Sequence, residues 1–89
     1  MSAAPSTQEV LALLTDRVTT VLGVDAPVTA DTRFDEDLHA DSLDLVEVVE
    51  SVERALRDKG YELSVDDDEL LAAATVGEAA ERIAAGIAG

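Results

Sequence analysis

The sequence predicts an all-α fold, a small helical bundle of three longer helices plus one short helix, with a long loop between helices one and two. Three apolar stripes recur at intervals of three and four residues, and a capping residue precedes each stripe. The one alternating segment, residues 61–65, has no second strand pattern to pair with, so we expect a loop there. At 89 residues, the chain is expected to form one domain, residues 1–89, around one small core.

Helix one is expected near residues 7–22, after a flexible tail of residues 1–5. Ser6 and Glu9 fit a capping box, in which hydroxyl and carboxylate oxygens accept hydrogen bonds from the first backbone N–H groups of the helix. Gly23 suits the left-handed residue that ends a helix. The inward stripe consists of Val10, Leu13 or Leu14, Val18, Val21 and Leu22.

A long loop is expected over residues 24–40, which contain Pro27 and no sustained apolar period. Its expected anchors in the core are Val28, Phe34 and Leu38. A loop of this length inside a compact domain is uncommon and is often functional.

Helix two carries the strongest helical signal. Asp41 can cap it, Ser42 occupies its first position, Asp44 lies in its first turn, and Lys59-Gly60 is a good stop signal. The stripe that faces the core consists of Leu45, Val48, Val49, Val52 and Leu56.

The remaining helices are shorter. Residues 66–71 are expected to form one or two helical turns. Thr75 and Glu78 form another capping box, which opens the last helix. Its inward residues are expected to be Val76, Ala79 or Ala80, Ile83 and Ile87.

Composition excludes several functions. Asp and Glu number 20 against 6 Lys and Arg, and the formal charge is −14. This charge argues against a nucleic-acid-binding protein, because phosphate backbones are bound through Lys and Arg; the natural partner is basic. The chain has no Cys and one His, which leaves no thiol nucleophile and no expected metal site. It shows no signal peptide and no membrane span, so we expect a soluble, cytoplasmic protein.

Ser42 is the candidate functional residue, and three roles are considered for it. As a hydrolase nucleophile it needs a base, and the single histidine, His39, lies three residues earlier without the G-x-S-x-G elbow. The plain structural reading is that Ser42 helps to start a helix. A phosphodiester on Ser42 is a third reading, since an anion is favoured beside the free N–H groups at a helix N-terminus.

Residues 37–43, Asp-Leu-His-Ala-Asp-Ser-Leu, resemble the attachment motif of acyl carrier proteins, and the resemblance extends over roughly residues 9–87. In that family a phosphopantetheinyl transferase moves 4'-phosphopantetheine from coenzyme A onto the motif serine, here Ser42. Acyl groups then ride as thioesters on its terminal thiol, which explains how a cysteine-free chain carries thioesters. The resemblance implies a non-catalytic carrier, free-standing and monomeric, that serves fatty-acid, polyketide or lipopeptide biosynthesis.

The resemblance also implies partners and a docking surface. The expected partners are a phosphopantetheinyl transferase, an acyl-loading ligase or transferase, and acyl-modifying or condensing enzymes with basic docking patches. The residues expected to meet them are Asp41, Leu43, Asp44 and Glu47. We expect reversal of any of these three acidic charges to slow modification and transfer with little loss of helicity.

A bound acyl chain is sheltered between the helices in some members of this family. The residues expected to line such a chain here are Val48, Val49, Val52 and Leu56, which are first of all core residues.

Some features depart from the family or leave alternatives open. His39 stands where the family usually has Gly, so it must adopt a backbone conformation uncommon for a residue with a Cβ, or the loop must manage without that freedom. An acidic helical interaction protein, such as an inhibitor or a nucleic-acid mimic, is the alternative function. A calcium-responsive protein that uses the acidic runs 35–37 and 66–69 is a further alternative.

Overall fold

The computed structural model describes residues 5–63 and 67–88 and confirms the small helical bundle. Its described helices are α1 (Thr7–Leu22), α2 (Ser42–Asp58), α3 (Asp67–Leu71) and α4 (Val76–Ala85). The long connection between α1 and α2 is present as expected. The predicted flexible tail falls mostly on residues 1–4, and the predicted start of the short helix falls on Asp66; both lie outside the described residues.

The Ser6 cap and the Gly23 end of α1 form as the sequence predicts, but the Glu9 carboxylate makes no reciprocal bond among the described contacts, so the predicted capping box forms only in part. The Ser6 hydroxyl accepts a hydrogen bond from the Glu9 backbone N–H at 3.1 Å. Gly23 has a φ of 65°, and its N–H donates to the carbonyl of Thr19. A residue with a Cβ is rare in this conformation, so glycine gives α1 a defined C-terminus.

The core is aliphatic and lies where α1 packs against α2 and α4. Of the five residues of α2 predicted to face the core, four are buried and Leu45 is partly buried against them. No charged or polar residue is buried within the described ranges. The buried residues are Val10, Leu14, Val18, Phe34, Val48, Val49, Val52, Leu56, Leu70, Ala73, Val76, Ala79, Ala80 and Ile83. The fold therefore depends on Val, Leu, Ile and Ala side chains, with Phe34 as the one buried aromatic among the described residues.

One sequence prediction was wrong in the segment after α2. Glu62–Leu63 forms a short strand, β1, which pairs antiparallel with β2, Ile87–Ala88. The partner strand was missed because Ile87 continues the helical stripe of α4, whereas that helix ends at Ala85. The Gly86 N–H donates to the carbonyls of Arg82 and Ile83, and Ile87 then packs beside the core from an extended segment. The rest of the predicted loop, Ser64 and Val65, lies outside the described residues.

The start of α4 also holds the long loop. The Thr75 hydroxyl caps α4 by accepting from the Glu78 N–H at 3.1 Å, as predicted. The Glu78 carboxylate accepts from the Ala74 N–H at 2.9 Å, one residue before the position that a capping box requires. The loop supplies carbonyl oxygens to the next donors, Thr32 to the Val76 N–H and Ala30 to the Gly77 N–H, both at 2.9 Å.

Candidate functional site

Phe34 fixes the last part of the loop before α2. Its side chain is only 5% exposed, and its N–H donates to the Ala74 carbonyl at 3.2 Å. Its own carbonyl accepts from the Ala40 N–H at 2.8 Å. Phe34 is thus the core anchor that the sequence predicts. Its two backbone hydrogen bonds also connect residue 40 to the segment between α3 and α4.

The acidic run 35–37 stabilises the turn between Phe34 and Ala40 through a hydrogen bond and two ion pairs. The Asp37 carboxylate accepts from the Arg33 N–H at 2.9 Å. The Arg33 guanidinium forms ion pairs with Asp35 at 3.6 Å and Glu36 at 3.4 Å. This role of Arg33 was not predicted from the sequence, because the ion pairs exist only once the turn has formed. The acids of this run are thus engaged with Arg33 and the backbone.

Of the two alternatives left open for His39, the structure shows the uncommon backbone conformation. It has a φ of 53°, in the left-handed region, and its N–H donates to the Asp35 carbonyl at 3.2 Å. Its side chain is exposed. The loop thus turns into α2 through a left-handed conformation that is uncommon for residues with a Cβ, although histidine adopts it more often than most of them do.

Asp41 and Asp44 form a reciprocal capping box at the start of α2. The Asp41 carboxylate accepts from the Asp44 N–H at 2.9 Å, and the Asp44 carboxylate accepts from the Asp41 N–H at 3.3 Å. Sequence analysis predicted Asp41 as the cap and Asp44 in the first turn, but not their mutual bonds. Two of the predicted docking acids therefore also stabilise the helix that carries Ser42.

Ser42 lies at the first position of α2 and is exposed. At the start of α2, the Asp44 N–H bonds to the Asp41 carboxylate and the Leu45 N–H bonds to the Asp41 carbonyl. The N–H groups of Ser42 and Leu43 have no acceptor among the described residues. No described side chain makes a hydrogen bond to the Ser42 hydroxyl. The site offers an accessible oxygen beside free donors at the positive end of a helix.

The predicted docking residues, which are close to Ser42 in the chain, comprise one apolar and three acidic side chains. Leu43 is 74% exposed and is the one large hydrophobic residue of the described chain that is exposed. Asp41 and Glu47 are exposed, while Asp44 is half-buried by its capping role. The structure thus places all four on the first turns of α2 or immediately before it.

Two cavities lie at opposite ends of the apolar stripe of α2. One, about 270 Å³, lies at the Ser42 end and is lined by Phe34, Asp35, Ala40, Leu45, Leu71, Ala72, Ala73 and Ala74. The other, about 130 Å³, is lined by Pro5, Glu9, Val10, Leu13, Leu56, Lys59 and Tyr61. Of the predicted chain-lining residues, Leu56 lines the second cavity, while Val48, Val49 and Val52 lie in the core between the two. Leu71 was not predicted from the sequence to line a cavity, because its position beside Leu45 depends on how α3 packs in the fold.

A metal centre has no support in the described part of the chain. No three or more His, Asp or Glu side chains are grouped there to hold an ion. The second acidic run, 66–69, begins at Asp66, which lies outside the described residues, as does the side chain of Asp67. Within the described ranges, no helix has the length and apolar character needed to cross a bilayer.

Comparison with known proteins adds an independent observation. Residues 12–83 match the family described as "Phosphopantetheine attachment site". The chain is 36% identical over 77 residues to the acyl carrier protein of Rubrobacter xylanophilus, a match that covers 85% of this chain and 89% of that protein. The chain belongs to the acyl carrier protein family.

A second relative matches over a shorter region. The acyl carrier protein of Sulfurovum sp. is 48% identical over 52 residues, which cover 58% of this chain. The match spans 63% of the Sulfurovum protein, less than two thirds of its length. No solved structure matches the chain.

Membership of the acyl carrier protein family makes the chain a non-catalytic carrier with covalently attached 4'-phosphopantetheine. The residues at the start of α2 fit such a group. An exposed hydroxyl is available for a phosphodiester, and the unbonded N–H groups of Ser42 and Leu43 suit an anion.

The left-handed conformation of His39 generates a stability prediction. His39→Gly is expected to be more stable than His39→Ala by about 1 kcal/mol, because only the glycine variant escapes the Cβ strain at φ 53°. Urea unfolding followed by circular dichroism measures the difference.

The matched control is the same pair of substitutions at Glu50, which is exposed within α2. There the order reverses, because glycine in an ordinary helix costs about 0.8–1 kcal/mol relative to alanine. A His39→Gly variant less stable than His39→Ala contradicts the account of the loop.

Proposed function

We propose that Ser42 holds the phosphopantetheine group and that the protein carries acyl groups on it as thioesters. The observation that carries this proposal is the exposed Ser42 hydroxyl at the open start of a capped helix, inside the region that matches the attachment-site family. The sequence motif around Ser42 supports the same assignment. The bound group supplies the thiol that the cysteine-free chain lacks.

The chain's own part in this chemistry is presentation. Ser42 offers its oxygen as the acceptor, and the Asp41–Asp44 box keeps it at the first position of α2. We propose that the modifying enzyme supplies the base that removes the Ser42 proton, because no described side chain bonds to that hydroxyl.

The direct test is the intact mass of the protein after incubation with coenzyme A and a broad-specificity phosphopantetheinyl transferase. We expect one phosphopantetheine on the unaltered chain and none on Ser42→Ala. Ser51→Ala is the matched control, since it removes a hydroxyl from the same helix more than two turns away, and it is expected to be modified normally.

Two results overturn the proposal. One is modification of the Ser42→Ala variant. The other is no addition to the folded, unaltered chain while a known carrier is modified in parallel. The second result leaves an acidic interaction protein without a prosthetic group as the better account.

The proposed docking surface consists of Asp41, Leu43, Asp44 and Glu47. Acidic side chains around an exposed leucine suit a partner with a basic patch and a small apolar recess. The proposed partners are a phosphopantetheinyl transferase, an acyl-loading ligase or transferase, and acyl-modifying or condensing enzymes. The net charge of −14 favours rapid encounter with such basic surfaces.

The capping box corrects one expectation about how to test this surface. Charge reversal at Asp41 or Asp44 removes a cap that is worth about 1 kcal/mol, so it is not neutral for α2. Asp41→Asn retains a capping oxygen while removing the charge, and Glu47 makes no capping bond among the described contacts.

The double variant Asp41→Asn, Glu47→Gln is therefore expected to raise the KM for modification several-fold at low salt, with little change in kcat. The difference shrinks as salt rises, because screening weakens attraction between exposed charges. Steady-state kinetics with a basic transferase at two salt concentrations measures it.

Glu81→Gln is the control, since it removes an exposed charge on α4, away from the docking surface. Equal effects of the Glu81 and double variants indicate a general charge effect and contradict the assigned surface.

For the acyl chain we propose a path along the apolar stripe of α2. The cavity beside Leu45 and Leu71 is the mouth, and Val48, Val49, Val52 and Leu56 line the deeper part. α3 borders this mouth and is tied to α4 by a hydrogen bond from the Arg82 guanidinium to the Glu69 carbonyl at 2.5 Å. Burial of each methylene contributes about 0.8 kcal/mol, which offsets part of the cost of separating core side chains.

Methyl NMR of the carrier loaded with butyryl and dodecanoyl groups tests the path. The short group is expected to shift the methyl signals of Leu45 and Leu71, and the long group to extend the shifts to Val49, Val52 and Leu56. The signals of α1 methyl groups that lie on the side away from α2 serve as the internal control. Spectra that do not depend on chain length mean that the chain stays outside.

The biological setting is part of the proposal. The carrier is proposed to act as a cytoplasmic monomer in fatty-acid, polyketide or lipopeptide biosynthesis. Its acidity and the restriction of exposed large hydrophobic residues to Leu43, within the described chain, support a monomer.

A further inference from the structure

The start of α4 approaches the long loop closely at one glycine. The Gly77 N–H donates to the Ala30 carbonyl at 2.9 Å. A Cβ at position 77 would lie 2.9 Å from that carbonyl oxygen and 3.1 Å from the Ala30 Cβ. Both distances are shorter than ordinary contacts, so any side chain here must displace the loop backbone.

This contact belongs to a series of backbone hydrogen bonds that leads toward Ser42. Next to it, the Val76 N–H donates to the Thr32 carbonyl, and the Phe34 N–H donates to the Ala74 carbonyl. Phe34 in turn accepts from the Ala40 N–H at 2.8 Å, two residues before Ser42. Displacement of Ala30 therefore acts on the same loop that places the serine.

Helix propensity does not favour glycine at this position. Gly77 lies in the first turn of α4, where alanine would form the helix more readily. Close approach of the loop gives glycine its physical reason there.

We propose that Gly77 is a positioning residue for modification of Ser42, acting through the loop and not through contact with the serine. The inference rests on the proposed attachment at Ser42. Without a side chain at position 77, the loop packs against α4, and the serine is presented in the orientation that the modifying enzyme binds.

The test compares Gly77→Ala with Gly60→Ala in steady-state modification by a phosphopantetheinyl transferase. Gly60 has a φ of 93° and nothing within 4 Å of its added Cβ, so alanine there strains the chain without a clash. It lies beyond the opposite end of α2, roughly 25 Å from Ser42 along the helix. Both variants are assayed at a temperature at which circular dichroism shows each to be folded.

Gly77→Ala is expected to raise KM at least fivefold and to shift the amide NMR signals of residues 30–42. Gly60→Ala is expected to leave KM within twofold of the unaltered chain, whatever its loss in Tm. An unchanged KM for Gly77→Ala, or an equal rise for Gly60→Ala, overturns the proposal.

Amide hydrogen exchange of the unaltered chain provides a second test if Gly77→Ala fails to fold. The N–H groups of Phe34, Ala40, Val76 and Gly77 are expected to exchange through one common opening, with matching protection. The proposal is overturned if the N–H groups of Val76 and Gly77 are protected while those of Phe34 and Ala40 exchange rapidly. This readout is independent of modification, so failure of Ser42 to be modified overturns the proposed function alone.

Discussion

Phe34 joins the hydrophobic core to the start of α2 through three interactions at one residue. Its ring is buried, its N–H bonds to the segment before α4, and its carbonyl bonds to Ala40. The residue that packs into the core thus also bonds to Ala40, which leads into the cap of α2. Together with the hydrogen bonds from the start of α4 to Ala30 and Thr32, this connection holds the loop that precedes Ser42.

The acidic residues divide between structure and surface. Asp37 satisfies the backbone of the turn, Asp35 and Glu36 pair with Arg33, and Asp41 bonds to the first turn of α2. Glu47 makes no such bond among the described contacts and extends to solvent. The large negative charge is therefore compatible with a fold whose core contains no charged residue in the described ranges, because the acids bond locally or remain hydrated.

Local signals made much of the fold predictable. The bounds of α1, the Asp41 cap and the buried stripe of α2 depend on residues close in sequence, and the structure confirms each. The β1–β2 pair was not predicted, because two-residue strands carry no visible alternation and Ile87 continues the period of α4. The cavity beside Leu45 and Leu71 and the contact of Gly77 with Ala30 depend on distant segments that meet only in the fold. The motif made Ser42 the candidate residue, and free N–H groups were expected at the start of its helix; the structure adds that these are the N–H groups of Ser42 and Leu43.

In our proposal, the start of α2 already has the conformation that receives the phosphopantetheine group on Ser42. Comparison of the backbone amide NMR spectra before and after attachment of phosphopantetheine tests it most directly. We expect shifts concentrated in residues 39–45, largest at the Ser42 and Leu43 amides, with the signals of α1 and α4 unchanged. Shifts spread through all the helices, or centred on a region remote from Ser42, would contradict a preformed site.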